Sequence, residues 1–167
     1  MEDPSTTTGA LDVRVVDYEA YHRAYFEQFN AEWLNEYFRV EDVDQTMFDD
    51  PRGTILERGG HILMGYLGER CVGTCALIQR EPAVYELAKM AVTKQARGKH
   101  VGRALIDASI ARAIAVRAKR LYLATNSRLS TAIGLYGRLG FVVTHTGKDP
   151  IYERVDTVMT YAKPLTL

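Results

Sequence analysis

The segment Arg97-Gly98-Lys99-His100-Val101-Gly102-Arg103 is the part of this sequence best suited to chemistry. It separates a strand-length apolar run, Val84 to Val92, from an Ala-, Ile- and Leu-rich run that follows Gly102 to Lys119 without a Pro or Gly. A glycine-containing turn that opens a helix points several unpaired backbone N–H groups at one spot, at the positive end of the helix dipole. The predicted chemistry is anion binding, with diphosphate the anion that most often fills such a site, and Lys99 and Arg103 add formal charge. It is not a P-loop, because His100 rather than Ser or Thr follows Lys99. Nor is it a dinucleotide fingerprint, which needs three glycines at Gly-x-Gly-x-x-Gly spacing.

The flanking elements that must position this loop are legible from periodicity and turn residues. Leu11 to Val16 reads as a first strand. Tyr21, Tyr25, Phe29, Trp33 and Tyr37 repeat every four residues, which predicts one helical stripe across Tyr18 to Phe38 with a break near Asn30. A short helix is expected from Val43 to Phe48, stopped by Pro51. Turns at Gly59-Gly60, Gly68-Glu69 and Glu81-Pro82 bound His61 to Leu67, Val72 to Gln79 and Val84 to Val92, an antiparallel meander. The long helix after the loop crosses over to Leu121 to Thr125, which should run parallel to the fourth strand. Leu129 to Leu139 reads as a further helix, and Phe141 to His145 and Thr157 to Ala162 as final strands. On the crossover helix, Ala104, Ala108, Ala111 and Ala115 are small enough to let it lie close to a sheet.

With 167 residues the chain has the length of a single domain with a sizeable core. Hydrophobic residues make up 47% and charged residues 25%, ordinary for a globular protein. Met1 to Gly9 is polar and expected to be a disordered tail, leaving residues 10–167 as the domain. No apolar run reaches membrane-spanning length, so no membrane partner is expected. Net charge is zero, yet unevenly placed: ten carboxylates fall between Asp17 and Asp50 against Arg23 and Arg39, while eight basic residues between Lys94 and Arg120 face only Asp107. A basic segment around the loop suits an anionic cofactor and an acidic one a cationic second substrate. The neutral total and the lack of aromatics among the basic residues argue against nucleic acid. Cys71 and Cys75 stand four apart on a strand, hence on one face but too distant for a relaxed disulfide. They read as free core thiols in a reducing cytoplasm, and no ligand set for a metal is present.

The loop resembles the coenzyme A pyrophosphate loop of the GNAT superfamily of N-acetyltransferases, Gln/Arg-x-x-Gly-x-Gly/Ala, through Gln95, Gly98 and the position of His100, where the family prefers Gly or Ala. Glu86-Leu87-Ala88-Lys89-Met90-Ala91-Val92 is similar to the family's fourth strand, Leu121 to Asn126 to its fifth, and Leu135-Tyr136-x-x-x-Gly140-Phe141 to its closing element. The resemblance covers roughly residues 11 to 163. It implies a single α/β (α+β) domain: a mixed, mostly antiparallel sheet of six to seven strands, splayed parallel fourth and fifth strands, and helices on both faces.

The resemblance also implies roles. Acetyl-CoA would be the co-substrate, with no metal. Backbone groups of Met90, Ala91 and Val92 would hold its pantetheine arm, the Met90 N–H aimed at the thioester oxygen. The loop residues Arg97, Gly98, Lys99, His100, Val101, Gly102 and Arg103 would bind pyrophosphate, and Asn126 the pantetheine amide region. Strict alternation would set Lys89 among apolar neighbours, and a β-bulge near Ala88 to Met90 relieves that conflict and opens the splay. Tyr136 is the candidate to protonate the departing thiolate. Glu86 is the candidate base, since an amine such as a lysine side chain has a pKa of about 10.4 and must lose a proton. The acceptor is expected at Trp33, Tyr37, Phe38, Tyr152 and Arg154, where Arg154 would suit the carboxylate of an amino-acid-like amine. The expected activity is direct acetyl transfer to a small-molecule primary amine. A protein or peptide amine, or a non-catalytic CoA-binding module, are the alternatives. A homodimer is a further expectation, with no interface located.

Overall fold

In the computed structural model, which describes residues 12–167, seven strands form one sheet in the order β1-β2-β3-β4-β5-β7-β6. They are β1 (Val13–Asp17), β2 (His61–Leu67), β3 (Arg70–Glu81), β4 (Val84–Val92), β5 (Arg120–Thr125), β6 (Phe141–Thr146) and β7 (Thr157–Tyr161). The turns predicted at Gly68 and at Glu81-Pro82 join β2, β3 and β4 into an antiparallel meander. The crossover helix then makes β5 parallel to β4, the one parallel pair in the sheet. The Met1–Gly9 tail lies outside the described residues. No helix among those described is long and apolar enough to cross a membrane.

Helices cover both faces. α1 (Arg23–Tyr37) and α2 (Asp42–Asp49) lie on one side, where Phe26, Leu34 and Phe48 pack on Ile62, Met64, Ala76 and Ile78. α3 (Pro51–Thr54) follows, with Pro51 at its first position and the Asp50 carboxylate accepting the Gly53 N–H at 2.9 Å. Pro51 therefore starts a turn of helix as well as ending the previous one. α4 (Val101–Ala115) and α5 (Ser130–Arg138) cover the other face, where Leu105 and Ile106 meet Leu63, Cys75, Leu77, Leu87 and Leu121.

Four expectations need correction. α1 is unbroken at Asn30, because the buried Asn30 amide donates to the Phe26 carbonyl at 2.9 Å and stays within the helix. Its buried face is Phe26, Phe29, Asn30 and Leu34, while Tyr21, Tyr25 and Tyr37 of the aromatic repeat are exposed. The close approach of α4 comes from glycines in the sheet. A Cβ on Gly65 or Gly73 would lie 3.0 or 3.1 Å from Val101 Cγ1, whereas Ala111 and Ala115 face solvent. Finally, a register shift opposite Gly65 and Tyr66 adds Val72 to β3 and turns Cys71 and Cys75 to opposite faces.

Candidate active site

The β4–β5 ladder runs only from Val84↔Arg120 to Leu87↔Leu123. Beyond it, residues 88–92 of β4 have no β5 partner, and the strands part toward their C-terminal ends. The opening is a slot of about 100 Å³ whose walls include Trp33, Phe38, Met90, Asn126, Tyr136 and Arg154.

A β-bulge sits where Lys89 stands out in the sequence. Thr74 pairs with Ala91 and Ala76 with Ala88, so Lys89 and Met90 together oppose Cys75. Lys89 takes a left-handed φ of +52°. The bulge resets the alternation: Ala88 packs with the α1–α2 side, Met90 and Val92 with the α4 side. Lys89 follows Ala88, and its ammonium meets Phe48 of α2 at 5.9 Å from the ring centre.

There Lys89 enters a buried ionic cluster. Its ammonium donates to Asp44 of α2 and to the Tyr152 hydroxyl at 3.2 Å. Arg154 donates to both Asp44 oxygens at 2.8 Å and to Glu41 at 2.7 Å. Asp44 has no exposed surface. Burial alone would push its carboxyl up, but the bonds from Arg154 and Lys89 outweigh burial and hold it below the ordinary carboxylate range. Two cations and two carboxylates cancel, so the cluster is neutral as a unit.

At the far end of β4, the turn before α4 presents its amides outward. Gly98 (φ +76°) and His100 (φ +65°, ψ 14°) are both left-handed, and no side chain caps the helix. Among the described residues no backbone acceptor takes the N–H groups of Gly98 through Arg103; the first intrahelical bond is Ala104 N–H to His100. A Cβ at Gly98 would meet nothing within 4 Å. The cradle is open, amide-lined and flanked by exposed Lys99 and Arg103, which fits a diphosphate. Arg97 does not face it, since its guanidinium binds Glu36 of α1 through two bonds of 3.1 and 2.7 Å.

Tyr136 of α5 forms the opposite wall of the slot, edge-on to Phe141 at 6.2 Å between ring centres. Burial pushes its phenol up to about 12, with the nearby Cys75 adding to the rise. The hydroxyl therefore keeps its proton at neutral pH. Burial also raises both thiols, Cys71 to about 11 and Cys75 to about 12, so neither is a ready nucleophile.

The other predicted residues divide. Trp33 and Phe38 line the slot, whereas Tyr37 lies outside it, lining the pocket at its mouth. Asn126 also lines it, but its amide donates to the Arg154 carbonyl at 2.8 Å and accepts the Arg128 N–H at 2.9 Å, bracing the turn after β5. Three residues are not presented as expected. Tyr152 is 4% exposed, with the Lys89 ammonium 4.7 Å and the Arg154 guanidinium 4.5 Å from its ring centre, so it supports the cluster and does not line the slot. Arg154 reaches the slot wall with its fork already filled by Asp44 and Glu41. Glu86 is buried below the slot against Arg80, at 2.8 Å, and does not line it. Unforeseen were Asp44 and Glu41, which looked like ordinary helix carboxylates, and Arg128, which carried no signal beyond its charge.

Residues 18–141 match the Acetyltransferase (GNAT) family, and the chain belongs to that family. No curated protein matches it. Among solved structures, an acetyltransferase of the GNAT family from Staphylococcus aureus is similar at 20% identity and TM-score 0.78, over 89% of this chain and 98% of that one. PaiA N-acetyltransferase from Thermoplasma acidophilum, in complex with coenzyme A, is similar at 13% identity and TM-score 0.73, over 92% and 100%. A spermidine N-acetyltransferase SpeG chimera from Vibrio cholerae and hSSAT is similar at 17% identity and TM-score 0.70, over 89% and 92%. At such identities the likeness is one of fold.

Proposed function

We propose that this protein transfers an acetyl group from acetyl-CoA to the primary amine of a small molecule, directly and within a ternary complex. The observations that carry the reading are the slot between β4 and β5, with Tyr136 in its wall, and the unpaired amides of Gly98–Arg103 in the turn that follows β4. When bound, acetyl-CoA supplies the acetyl group as a thioester. The backbone of Met90, Ala91 and Val92, released from β5, would hold its arm, and the loop amides its diphosphate.

The transfer forms a C–N bond and breaks a C–S bond, so the amine loses one proton and the sulfur gains one. Tyr136 is suited to the sulfur. Its phenol, raised to about 12, is a weaker acid than a thiol at about 8.5. It therefore acts chiefly by donating a hydrogen bond to the thiolate charge that develops there, and the sulfur takes its proton from water. Among the described residues no carboxylate or imidazole lines the slot. With Glu86 held by Arg80, the amine reacts as its neutral fraction and its proton leaves through water at the slot mouth. The raised thiols argue against an acetyl-cysteine relay.

The test is initial-rate release of free thiol from acetyl-CoA across a panel of small amines, alongside calorimetry with CoA. Thiol release that depends on an amine, with the acetylated amine identified by mass, is the expected result. CoA binding without turnover would leave a binding module, and no association with CoA would overturn the reading altogether.

A further inference from the structure

We infer that Arg128 reads a carboxylate on the acceptor, so the amine acetylated here belongs to an acid of the amino-acid type. This rests on the acetyltransferase reading above. A pocket of about 320 Å³ adjoins the slot and shares Phe38 and Arg154 with it. Three arginines line this pocket, with two carboxylates, Glu41 and Glu153. Arg39 is bound to Glu153 at 2.6 Å, and Arg154 to Glu41 and Asp44. Arg128 alone of the three is in no ion pair among the described residues. Asp156 senses its charge, but both Asp156 oxygens already accept bonds from Ser127 and Thr157.

Counting Lys89 with the buried cluster, the charges of Arg154, Asp44 and Glu41 cancel, as do those of Arg39 and Glu153. Arg128 is left as the one charge lining this pocket that no ion pair neutralises among the described residues, and Asp156, which feels it, forms no ion pair with it. The Arg128 guanidinium lies 5.0 Å from the centre of the Phe38 ring, and its Nε is 3.4 Å from Asn126 Oδ1. Asn126 and Leu129, on either side of it in sequence, both line the slot. A planar fork held over an aromatic ring with its terminal N–H groups unpaired matches a carboxylate bidentately. A carboxylate seated there would leave the rest of the acceptor directed past Phe38 into the slot. Arg154, whose fork is filled, cannot serve this purpose without breaking the cluster.

The experiment measures initial rates for amino acids and their matched carboxamides, phenylalanine with phenylalaninamide and leucine with leucinamide among them. The parent is compared with Arg128→Gln and Arg128→Lys. Because a carboxylate raises the pKa of its own amine, each acceptor is judged by its variant-to-parent ratio. Arg128→Gln is expected to raise KM for the acids about 10- to 100-fold more than for the amides, the range of a charge-assisted bond. The increase should fall on the acid and not on acetyl-CoA, and Arg128→Lys should recover part of it. Equal effects on acids and amides, no effect on either, or a rise in the acetyl-CoA KM would each overturn the inference. Turnover of amines with equal variant-to-parent ratios for acids and amides overturns it while leaving the acetyltransferase reading intact. Absence of turnover with every amine removes both.

Discussion

Replacing Lys89 by Met tests whether the ionic cluster holds the β4 bulge in place. The side chain of Lys89 is 3% exposed and that of Asp44 0%, so the pair is fully desolvated. Met keeps most of the stem's apolar packing against Phe48 and Tyr152 while removing the charge. The cluster then carries one net negative charge. Breaking a buried pair costs about 3–5 kcal/mol. Arg154 retains its two bonds to Asp44, which places the expected loss near the lower end, about 3 kcal/mol. For a domain of this size that lowers the melting temperature by about 6–12 °C. Asp44→Asn should cost a similar amount by stranding Lys89, while Arg154 keeps its bond to Glu41. The double variant should lose less than the sum of the singles by about 1–3 kcal/mol. The pH dependence has a definite sign. A carboxyl depressed on folding contributes stability above its unfolded pKa of about 3.9, and that contribution is lost as pH falls through the folded value. Lys89→Met weakens the depression of Asp44, so acid unfolding should begin at a higher pH than in the parent. Urea denaturation across this range is the assay. A loss below about 1 kcal/mol, typical of a solvated pair, would refute the reasoning.

Tyr136→Phe should lower kcat about 100-fold with a smaller change in the KM for acetyl-CoA, and equal rates would remove the hydroxyl from the reaction. Glu86→Gln should leave the pH–rate profile of the parent in place, with the rate rising toward the pKa of the amine; a lost or displaced limb would restore Glu86 as the base. Gly98→Pro removes an N–H from the cradle and cannot adopt φ +76°, so calorimetry should show CoA affinity reduced at least about tenfold. His100→Gly relieves a left-handed residue whose side chain is exposed, and should stabilise the fold by up to about 1 kcal/mol in urea denaturation. Destabilisation there would mean that the imidazole makes a contact of value.

The meander, the crossover and the loop were legible because short turns and apolar runs leave few topologies open, whereas the insertion of β7 between β5 and β6 was not read. The bulge was legible too, since a lysine inside Leu87–Val92 cannot alternate into an apolar face without one. What Lys89 would meet there was not legible, because Asp44 is 45 residues away and looks like any carboxylate on a helix. The aromatic repeat of α1 misled for a geometric reason. Residues four apart advance about 40° around a helix, so Tyr25 to Tyr37 wind through about 120°, and Tyr21 lies before α1 begins. The cysteines misled because one added residue, Val72, inverts every position beyond it. Arg128 was invisible because its meaning lies in which other arginines are already paired.

The cluster explains how Arg154 can stand in the wall of the slot without leaving a free charge there. Lys89 belongs to β4, Asp44 and Glu41 to the start of α2, and Arg154 and Tyr152 to the connection between β6 and β7. These are the three parts of the chain that meet on the α1–α2 side of the splay. An apolar contact could join them, but it would not fix their register, whereas a buried fork satisfied only at Asp44 and Glu41 does. The left-handed turn at Lys89 costs about 1–2 kcal/mol by itself. It is retained because the same residue that bends β4 away from β5 also anchors the wall opposite. Opening of the slot and placement of the wall that carries Arg154 are thus one structural event, and a change that frees Arg154 from Asp44 should loosen both together.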